Sequence, residues 1–433
     1  MYKAPETSRN QGFPLMDRIS KLPDSVLCHI LSFLPTKHAV ATSVLSTKWQ
    51  FLWTNILNLD FDSSLCFNPR NTENSKNKMS FPEFVTRVLL LHNSRCIKTL
   101  RLKCGGSCER RHVDAWISTA ISRNVEVLEL CALIGVDRLP HRFFTCKTLV
   151  DLKLENYVTI RVPGNMCFPS LKKLQLISVS YDNDESFTEL ISACLVLHEL
   201  IIRRSEHDYL VLCNISSPVL KSLKLIFGSN ASGFKPYLYN YKLKVYAPAL
   251  EYLHLDDKVS MDFSIGELTS LVEADIHLYD NELGNDNQYL DSVVKFIGKL
   301  SQVKFLSLSI NITTPLMSAT LFAIPLFHNL IKLNLQVACC QWHLLRTLFD
   351  RADNLEVLVF QKTTCKLTTH QACWIEPHQA PTSLLSCLRT VKFLGFEGMR
   401  DEFEIVRFIL ENGKVLKSME IYGIRRLPIQ RKV

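Results

Sequence analysis

The feature that most constrains the fold is a six-residue pattern that recurs along most of the chain. Leucine or another apolar residue usually occupies its first, fourth and sixth positions. Successive copies start 21 to 33 residues apart. Because alternate residues of a strand point to one face, each copy predicts a short strand with one buried side. The copies begin at Ile97, Val125, Leu149, Leu171, Leu197, Leu220, Leu250, Leu271, Val303, Leu330, Leu355, Leu388 and Leu416.

Self-similarity at this spacing is typical of leucine-rich repeats, each of which adds one parallel strand to a curved solenoid. We therefore predict an α/β fold in which residues 96–370 form an irregular leucine-rich-repeat solenoid, with a parallel sheet on its concave face. Most copies lack the asparagine usual in such repeats, and Ala274 replaces the central leucine of the copy at Leu271. A single large α/β domain with many leucine-rich strands is the alternative interpretation.

The segment before the repeats predicts three short amphipathic helices. Pro23 suits the start of the first helix and Pro35 its end. Thr36 is expected to cap a second helix that runs to about Leu45, and Ser46 a third. Apolar residues on the first and third helices repeat at i, i+3, i+4 and i+7: Leu27, Ile30, Leu31 and Leu34, then Trp49, Leu52, Trp53 and Ile56. So small a unit cannot bury this face alone, so we expect it to dock onto another protein; a plain helical subdomain packed on the rest of the chain is the alternative.

These residues closely resemble the F-box in the form common among plant proteins. The resemblance covers about 45 residues and is carried by the lead Asp17–Ser20, by LPD, ILSFLPTK and TSVLS, and by the W-x-x-L-W signature from Trp49 to Trp53. One departure is Thr47-Lys48, where the family usually has lysine-arginine. Lys48 keeps the charge but lacks the bidentate fork of arginine. We take the F-box to span residues 15–62.

The resemblance implies a role that spacing alone does not show. F-box proteins are substrate receptors of cullin-RING (SCF-type) ubiquitin ligases, and the F-box binds the small Skp-type adaptor that links it to the cullin. An F-box protein that acts as a non-degradative scaffold is the alternative. By this resemblance, the expected adaptor-binding positions are Leu22, Pro23, Ile30, Leu31, Leu34, Pro35, Val40, Ser43, Val44, Leu45, Trp49 and Trp53.

Residues 63–95 are predicted to form a linker and a capping helix. Ser63–Ser80 is polar and rich in asparagine and serine, as loops are. Ser80 as cap and Pro82 in the first turn then predict a helix. This helix is placed to cap the first repeat and stiffen its junction with the F-box. Residues 1–14 are expected to be a disordered tail.

The C-terminal residues 371–425 resemble a second plant element, the FBD domain. They predict a strand over Thr390–Phe396, a helix over Glu402–Glu411 that stops at Asn412-Gly413, and a closing strand over Leu416–Tyr422. Pro381-Thr382-Ser383 stands where the family usually has proline-glutamate-cysteine. The resemblance implies no biochemical activity, and we interpret the segment as a terminal cap of the solenoid. Residues 426–433 form a basic tail.

Alternate strand positions predict which residues face a target. In the early copies these positions hold Thr99, Arg101, Lys103, Lys173 and Lys224. In the middle copies we predict a target-binding surface for a basic segment, where two neighbouring strands bring together histidines and carboxylates about 4.8 Å apart. A solvated polar face and a metal site are the alternatives. The predicted target-binding residues are Tyr252, His254, Asp256, Glu273, Asp275 and His277.

Other function classes lack support in the sequence. The N-terminus has no apolar core of a signal peptide, and the longest apolar runs are too short to span a bilayer. Fifteen scattered cysteines fit reduced thiols. Phosphate-binding, dinucleotide-binding and nucleophile-elbow motifs are missing. The Cys104-x3-Cys108-x3-His112 spacing would need a fourth ligand, such as Cys96 or Cys131, to form a structural zinc site. We expect a non-catalytic protein of the nucleus or cytoplasm, neither secreted nor membrane-bound, without cofactor or metal.

The net charge gives little support for nucleic-acid binding. The chain has 50 Lys and Arg residues against 42 Asp and Glu residues, a formal net charge of +8. These basic residues are interspersed through the repeats, often beside the strand leucines, as on a solvated surface. The partners implied by the F-box resemblance are the Skp-type adaptor, through it a cullin-RING complex, and an unknown target protein; neither nucleic acid nor a membrane is expected as a partner.

Overall fold

The computed structural model of the protein describes most of the chain. The predicted tails at 1–14 and 426–433 lie outside the described residues, as do residues 67–78 of the predicted linker. The described stretches are 17–66, 79–105, 108–132, 139–156, 159–204, 210–227, 241–257, 260–279, 287–311, 324–338, 342–363 and 374–423.

Nineteen strands lie in the described residues. In chain order they are β1 (Asn58–Asp62), β2 (Thr99–Lys103), β3 (Val127–Cys131), β4 (Asp151–Glu155), β5 (Thr159–Ile160), β6 (Lys173–Ile177), β7 (Ser180–Tyr181), β8 (Glu199–Arg203), β9 (Leu212–Ser216), β10 (Ser222–Ile226), β11 (Tyr241–Tyr246), β12 (Tyr252–Asp257), β13 (Ser260–Ile265), β14 (Glu273–Tyr279), β15 (Phe305–Asn311), β16 (Lys332–Ala338), β17 (Val357–Thr363), β18 (Thr390–Phe396) and β19 (Ser418–Gly423).

The α-helices of the described residues lie mainly between the strands of the large sheet. They are α1 (Asp24–Leu31), α2 (Thr36–Ala41), α3 (Ser63–Cys66), α4 (Phe81–Leu91), α5 (Arg110–Ser122), α6 (Asp184–Ser192), α7 (Asn287–Gly298), α8 (Trp342–Phe349), α9 (Thr382–Ser386) and α10 (Arg400–Asn412). Short 3-10 helices cover Thr42–Val44, Leu52–Asn55 and His141–Thr145. None of the helices in these stretches has the length and apolar character needed to cross a lipid bilayer.

One parallel sheet organises the molecule. It contains fourteen strands in the order β1-β2-β3-β4-β6-β8-β10-β12-β14-β15-β16-β17-β18-β19. Each of the thirteen predicted repeat copies contributes one of these strands, so the predicted solenoid with a parallel sheet is confirmed. Strands β9, β11 and β13 form a second, three-stranded parallel sheet, and β5 pairs with β7. Some connections between strands of the large sheet therefore contain helices and others contain short strands, and this difference accompanies the irregular repeat length.

The leucine pattern explains the core. In β12 and β14 burial alternates along the strand, with Leu253 and Leu255 buried on one face and polar side chains on the other. Ala274 lies in register with Leu253 and Leu306 and is itself buried. The smaller side chain is thus accommodated without loss of register, because the strand pairing is set by the backbone ladder and by the leucines on either side.

A second backbone ladder runs along the edge where the strands begin. The residue just before each strand donates its N–H to the carbonyl of the equivalent residue one strand back. These bonds run without interruption from Leu57 to Lys417 and measure 2.7–3.1 Å. The sheet is therefore continuous from the F-box end to the C-terminal segment.

The first strand of the sheet belongs to the segment predicted as F-box. β1 pairs with β2, with Asn58 opposite Thr99, and buries Leu59 and Phe61. The sequence analysis missed this strand, although Ile56, Leu59 and Phe61 fit the six-residue pattern. The F-box end and the solenoid consequently share one sheet.

The N-terminal helices differ from the prediction in their ends. α1 stops at Leu31, so Leu34 lies beyond the helix and is exposed. Thr36 is not a cap. Pro35 occupies the N-cap position of α2, and the Thr36 hydroxyl accepts a hydrogen bond from the Asp60 N–H at 2.7 Å. This bond fixes α2 to β1.

The predicted third helix was wrong. Residues after Ser46 form successive turns and then the 3-10 helix Leu52–Asn55, with i to i+3 hydrogen bonds such as Trp49 N–H to Ser46 O. Phe51 has φ −121° and ψ 3°, which interrupts helical geometry. Trp49, Leu52, Trp53 and Ile56, which were predicted to share one apolar face, are nevertheless all buried within the chain.

The predicted helix before the first repeat is confirmed as α4. Ser80 and Glu83 form a capping box, with the Ser80 N–H 2.9 Å from the Glu83 carboxylate. Phe84 of α4 meets Phe61 of β1 edge-on, with ring centroids 6.0 Å apart. On the other side, the Trp116 indole of α5 donates to the Thr86 hydroxyl at 3.1 Å. The helix thus contacts both the F-box end and the first repeat.

The C-terminal segment matches its prediction closely. β18 covers the predicted strand, α10 includes the predicted helix and ends at Asn412, and β19 closes the sheet. Gly413 follows α10, where a Cβ atom would lie 2.7 Å from the Ile409 carbonyl oxygen. A glycine is required there by this close approach. The short helix α9 was not predicted.

Candidate functional site

The N-terminal helices expose several apolar side chains. Val44 is 86% exposed and Leu45 65% exposed. Of the residues predicted to bind the adaptor, Pro23, Ile30, Leu34, Val44 and Leu45 are exposed, and Leu22, Pro35, Val40 and Ser43 are half-buried. Surface of this kind is typical of sites that dock onto another protein.

Three of the predicted adaptor-binding residues lie instead in the core. Leu31, Trp49 and Trp53 are each at least nine-tenths buried within this chain. They belong to the hydrophobic core of the chain, as expected for a small helical unit that needs its largest side chains for its own packing. Sequence spacing could not separate buried from exposed residues, since buried Leu31 and exposed Ile30 lie on the same predicted helical stripe.

Other exposed apolar residues were missed by the sequence analysis. Phe33 is 75% exposed, and Phe51 and Ile19 are also well exposed. Phe33 stands beside the predicted stripe, and its ring meets His29 edge-on at 4.9 Å. A large aromatic residue in the short connection between α1 and α2, two residues before Pro35, is the signal that could have identified it.

Polar contacts join the segment before α1 to the residues that follow the second helix. Lys48 Nζ donates to the carbonyls of Ser20 and Leu22 at 2.7 and 2.8 Å and lies 3.4 Å from the Asp24 carboxylate. The Trp49 indole N–H donates to the Ser20 hydroxyl at 2.8 Å. The lysine that departs from the family pattern thus makes three contacts within the chain itself.

The second candidate site lies on the polar face of β12 and β14. The strands are paired in register, with His254 opposite Asp275 and Asp256 opposite His277. Glu273 is exposed, and the other five predicted target-binding residues are half-buried. The predicted side-by-side placement of the histidines and carboxylates is confirmed by this register, whereas their role in target binding stays a prediction.

Asp275 lies between the two histidines. His254 Nδ1 is 2.8 Å from Asp275 Oδ2, and His277 Nε2 is 3.0 Å from Asp275 Oδ1. The two imidazole centroids are 5.9 Å apart. Each histidine therefore directs one ring nitrogen at a different oxygen of the same carboxylate.

The network extends over two more strands. Ser307 of β15 also hydrogen-bonds to Asp275, and Asn334 of β16 donates to the Ser307 hydroxyl at 3.3 Å. Ser307 lies opposite Asp275 and Asn334 opposite Ser307 in the strand register. The carboxylate is thus oriented by partners from three strands, which restricts its side-chain rotation.

The contacts shift the acid–base properties of this cluster. Burial disfavours ionisation of Asp275, but hydrogen bonds from His254, His277 and Ser307 outweigh it and lower the pKa of the carboxyl well below its usual range. The hydrogen bond to Asp275 raises the pKa of His277, aided by the charges of Asp275 and Asp256 and opposed by burial. Asp275 is therefore an anion at neutral pH.

Two neighbours complete the surroundings. The Oδ1 atom of Asp256 is buried and has no hydrogen-bond partner among the described residues. On the other side, the Lys224 ammonium lies 5.4 Å from the centroid of the Tyr252 ring, as in a cation–π contact. Negative charge therefore predominates on the His277 side of the cluster.

The early repeats carry basic residues that are largely paired. Arg101 lies 2.8 Å from Glu129, Lys103 lies 3.1 Å from Asp62, and Lys173 lies 3.2 Å from Glu199. Each pair joins adjacent strands. Thr99 is buried and does not face solvent.

The Cys104-x3-Cys108-x3-His112 spacing does not assemble a metal site in the described residues. Cys104 and Cys108 are buried, and a hydrogen bond between their thiols, with burial, raises the pKa of Cys104. Within the stretches that the structure describes, the one group of three potential ligand atoms close together belongs to His254, Asp275 and His277.

Three family models match the chain. The F-box domain matches residues 19–60, the FBD matches residues 376–421, and residues 113–311 match the repeats described as "FBD-associated F-box protein At5g56370, LRR repeats".

The chain is also similar over nearly its whole length to proteins of Arabidopsis thaliana. It is 33% identical to F-box/FBD/LRR-repeat protein At5g56420, over 93% of this chain and 90% of that protein. It is 31% identical to F-box/FBD/LRR-repeat protein At4g26340, over 93% of this chain and 92% of that protein. It is 33% identical to F-box/LRR-repeat protein At4g14096, over 94% and 88% of the two chains.

Proposed function

This chain belongs to the plant F-box/FBD/LRR-repeat family, and we propose on that premise that it is the substrate-recognition subunit of an SCF-type, cullin-RING ubiquitin ligase. F-box proteins are generally adaptors that bring substrates to such ligases. In the proposed division of labour, residues 15–62 bind a Skp-type adaptor, residues 96–370 capture a target protein, and residues 371–425 close the solenoid. The chain itself is non-catalytic, and it acts in the nucleus or cytoplasm.

The observation that carries the adaptor-binding proposal is the exposure of apolar side chains on the F-box. Val44 ends the 3-10 helix that follows α2, Leu45 comes next, and both are among the most exposed large apolar residues of the described chain. Covering such side chains removes apolar area from water, which contributes about 25 cal/mol per Å². Phe33 adds an aromatic side chain of the kind that often anchors an interface.

A pull-down with a purified Skp-type adaptor tests this proposal. Leu45→Asp places a charge in the proposed interface without touching the core. We expect it to weaken adaptor binding by on the order of 2 kcal/mol, or about 30-fold. Leu195→Asp is the matched control, because Leu195 is 66% exposed, close to the 65% of Leu45, but lies after α6 in the solenoid.

The two possible failures of this test have different meanings. Absence of adaptor binding by the wild-type chain contradicts the ligase proposal. Equal binding by wild type, Leu45→Asp and Leu195→Asp contradicts only the placement of the interface. Both variants must keep the wild-type circular dichroism spectrum. We expect them to do so, because both substituted residues are exposed.

Target capture is proposed for the polar face of β12 and β14. Asp256, Glu273 and Asp275 supply three carboxylates on adjacent strands, and this charge suits a basic segment of a target. Changing all three to alanine should reduce crosslinking of the target to this face while adaptor binding stays intact. Crosslinking at wild-type levels would contradict the placement of the target.

The ligase role and the scaffold role differ in whether the captured protein becomes ubiquitinated. A ligase reconstituted with the adaptor, cullin and RING subunits should attach ubiquitin to the captured protein, and attachment should fall in Leu45→Asp. Stable capture without ubiquitin transfer in the complete complex would favour the scaffold role.

A further inference from the structure

We propose that the concave face of the sheet holds one divalent transition-metal ion, such as Zn²⁺, bound by His254, Asp275 and His277. Potential ligand atoms of these three residues all lie within 4.8 Å of one another, and no other group in the described stretches meets that condition. Two imidazole nitrogens and one carboxylate oxygen form a ligand set that zinc uses in proteins. The inference concerns the chain alone and does not depend on its place in a ligase.

The ligand atoms lie close enough together for a single ion to bind them all. A tetrahedral ion with ligand bonds of about 2.0–2.1 Å holds its ligand atoms roughly 3.3 Å apart. The nitrogen-to-oxygen distances here are 2.8 Å for His254 and 3.0 Å for His277. These two distances run to different oxygens of Asp275, and one ligand atom from each residue lies within 4.8 Å of the others. Rotation of the side chains would draw the three atoms to the spacing that one ion needs. The ion would replace the proton on each coordinating nitrogen, and that proton would move to the other nitrogen of the same ring, so that each imidazole binds in its neutral form.

Partners on neighbouring strands hold the ligands in place. Ser307 hydrogen-bonds to Asp275 and is itself contacted by Asn334 at 3.3 Å. Such outer partners orient metal ligands and raise affinity. Because the ligands and their supports lie on the paired strands β12, β14, β15 and β16, the site is carried by sheet backbone and not by a loop.

The charge around the site also favours a cation. The Oδ1 atom of Asp256 is buried and accepts no hydrogen bond from the residues that the structure describes, and Asp256 lies opposite His277 in the register. An unpaired buried carboxylate oxygen is costly, and a nearby divalent ion would offset that cost. Three protein ligands leave one position of a tetrahedral ion for water or an outside ligand.

Metal titration of the full-length chain, first stripped of metal by a chelator, tests the proposal. The probe is Co²⁺, whose visible absorption reports its coordination, followed by displacement with Zn²⁺. We compare wild type with His254→Ala and Asp275→Asn. The matched control is His198→Ala, because His198 is an exposed histidine of the same solenoid.

We expect wild type and His198→Ala to bind one equivalent more tightly than the two ligand variants, by at least 10- to 100-fold. Ser307→Ala should weaken binding by a smaller factor. The fifteen cysteines of the chain can bind metal as well, but that binding is the same in every variant. Equal titrations of all variants, or no binding by wild type, would overturn the proposal. His254→Ala keeps the test valid if Asp275→Asn does not fold.

Discussion

The Nζ atom of Lys362 lies 2.7 Å from Oε1 of Glu402, and both side chains are buried. Lys362 belongs to β17 and Glu402 to the first turn of α10, so the pair joins the last repeats to the C-terminal segment. Lys362 is also 2.7 Å from Glu397, and the second Glu402 oxygen accepts three backbone N–H groups, at 2.8–3.0 Å. Burial opposes the charge of Lys362, but the hydrogen bonds to Glu397 and Glu402 outweigh it and raise the pKa of the lysine.

Replacing Lys362 should therefore loosen the C-terminal end. Lys362→Met leaves the Glu402 charge buried without its cationic partner, which typically costs about 3–5 kcal/mol. Urea unfolding and hydrogen exchange at α10 measure the loss. Lys392→Met is the control, since the Lys392–Glu420 pair is partly exposed and solvent-exposed ion pairs contribute little to stability. Similar losses in both variants would contradict a special role for the buried pair.

Gly395 is predicted to be intolerant of a side chain. Its φ is +82°, and a Cβ atom would lie 2.8 Å from the Lys362 carbonyl oxygen. Gly395→Ala should destabilise the protein by about 1–3 kcal/mol, since both the backbone conformation and the contact are unfavourable. Gly164→Ala serves for comparison, because a Cβ at Gly164 meets nothing within 4 Å. In thermal unfolding, Gly395→Ala should melt at a lower temperature than Gly164→Ala. Equal melting temperatures would contradict the prediction that a side chain at Gly395 is strained.

We predict that His92, which follows α4, makes the free energy of unfolding depend on pH. Its Nε2–H donates to the Ile56 carbonyl at 2.7 Å, and its Nδ1 accepts from the Arg123 guanidinium at 2.9 Å. This arrangement requires a neutral ring. Burial lowers the pKa of His92, and the charge of Arg123 lowers it further, against the hydrogen bond to Ile56.

The folded-state pKa of His92 therefore lies below the unfolded value of about 6.5. Its contribution to stability is complete above that value and is lost as the pH falls towards the folded-state pKa. We expect wild type to lose more unfolding free energy between pH 7.5 and 5.5 than His92→Gln does. Urea unfolding at both pH values measures this. His198→Gln should keep the wild-type pH dependence, and an undiminished loss in His92→Gln would exclude the mechanism.

The capping box of α4 should also be measurable. Ser80→Ala removes the acceptor of the Glu83 N–H, and loss of such a cap typically costs about 1 kcal/mol. Hydrogen exchange in the first turn of α4 should accelerate accordingly. Ser192→Ala, at an exposed position near the end of α6, should change exchange there little. Unchanged exchange in Ser80→Ala would show that tertiary packing alone holds this helix end.

The sequence predicted the solenoid well because its pattern repeats. Alternation of buried and exposed positions recurs in thirteen copies, so each strand supports the assignment of the next. β1 was missed because Ile56, Leu59 and Phe61 lie in a segment assigned to helices. The third N-terminal helix was wrong for a related reason: helical spacing and a run of tight turns bury the same residues, Trp49, Leu52 and Trp53.

The candidate sites were predictable to different degrees. Strand register alone placed His254, Asp275 and His277 together, since alternate positions of paired strands must face the same side. The support from Ser307 and Asn334 depends on side-chain conformations two strands away, which no local pattern encodes. On the F-box, spacing could not distinguish buried Leu31 from exposed Leu45, because that depends on how the short helices cross.

The membership of β1 in the large sheet affects how the F-box can be removed. Deleting residues through Asp62 would remove the proposed adaptor-binding surface together with the first strand, leaving the backbone groups of β2 unpaired along an open edge. Exposed edges of this kind pair with strands of other molecules and promote aggregation. Such a deletion would therefore produce an aggregation-prone protein, and a loss of binding in it could not be assigned to the F-box. A surface substitution leaves β1 paired with β2 and so avoids this problem.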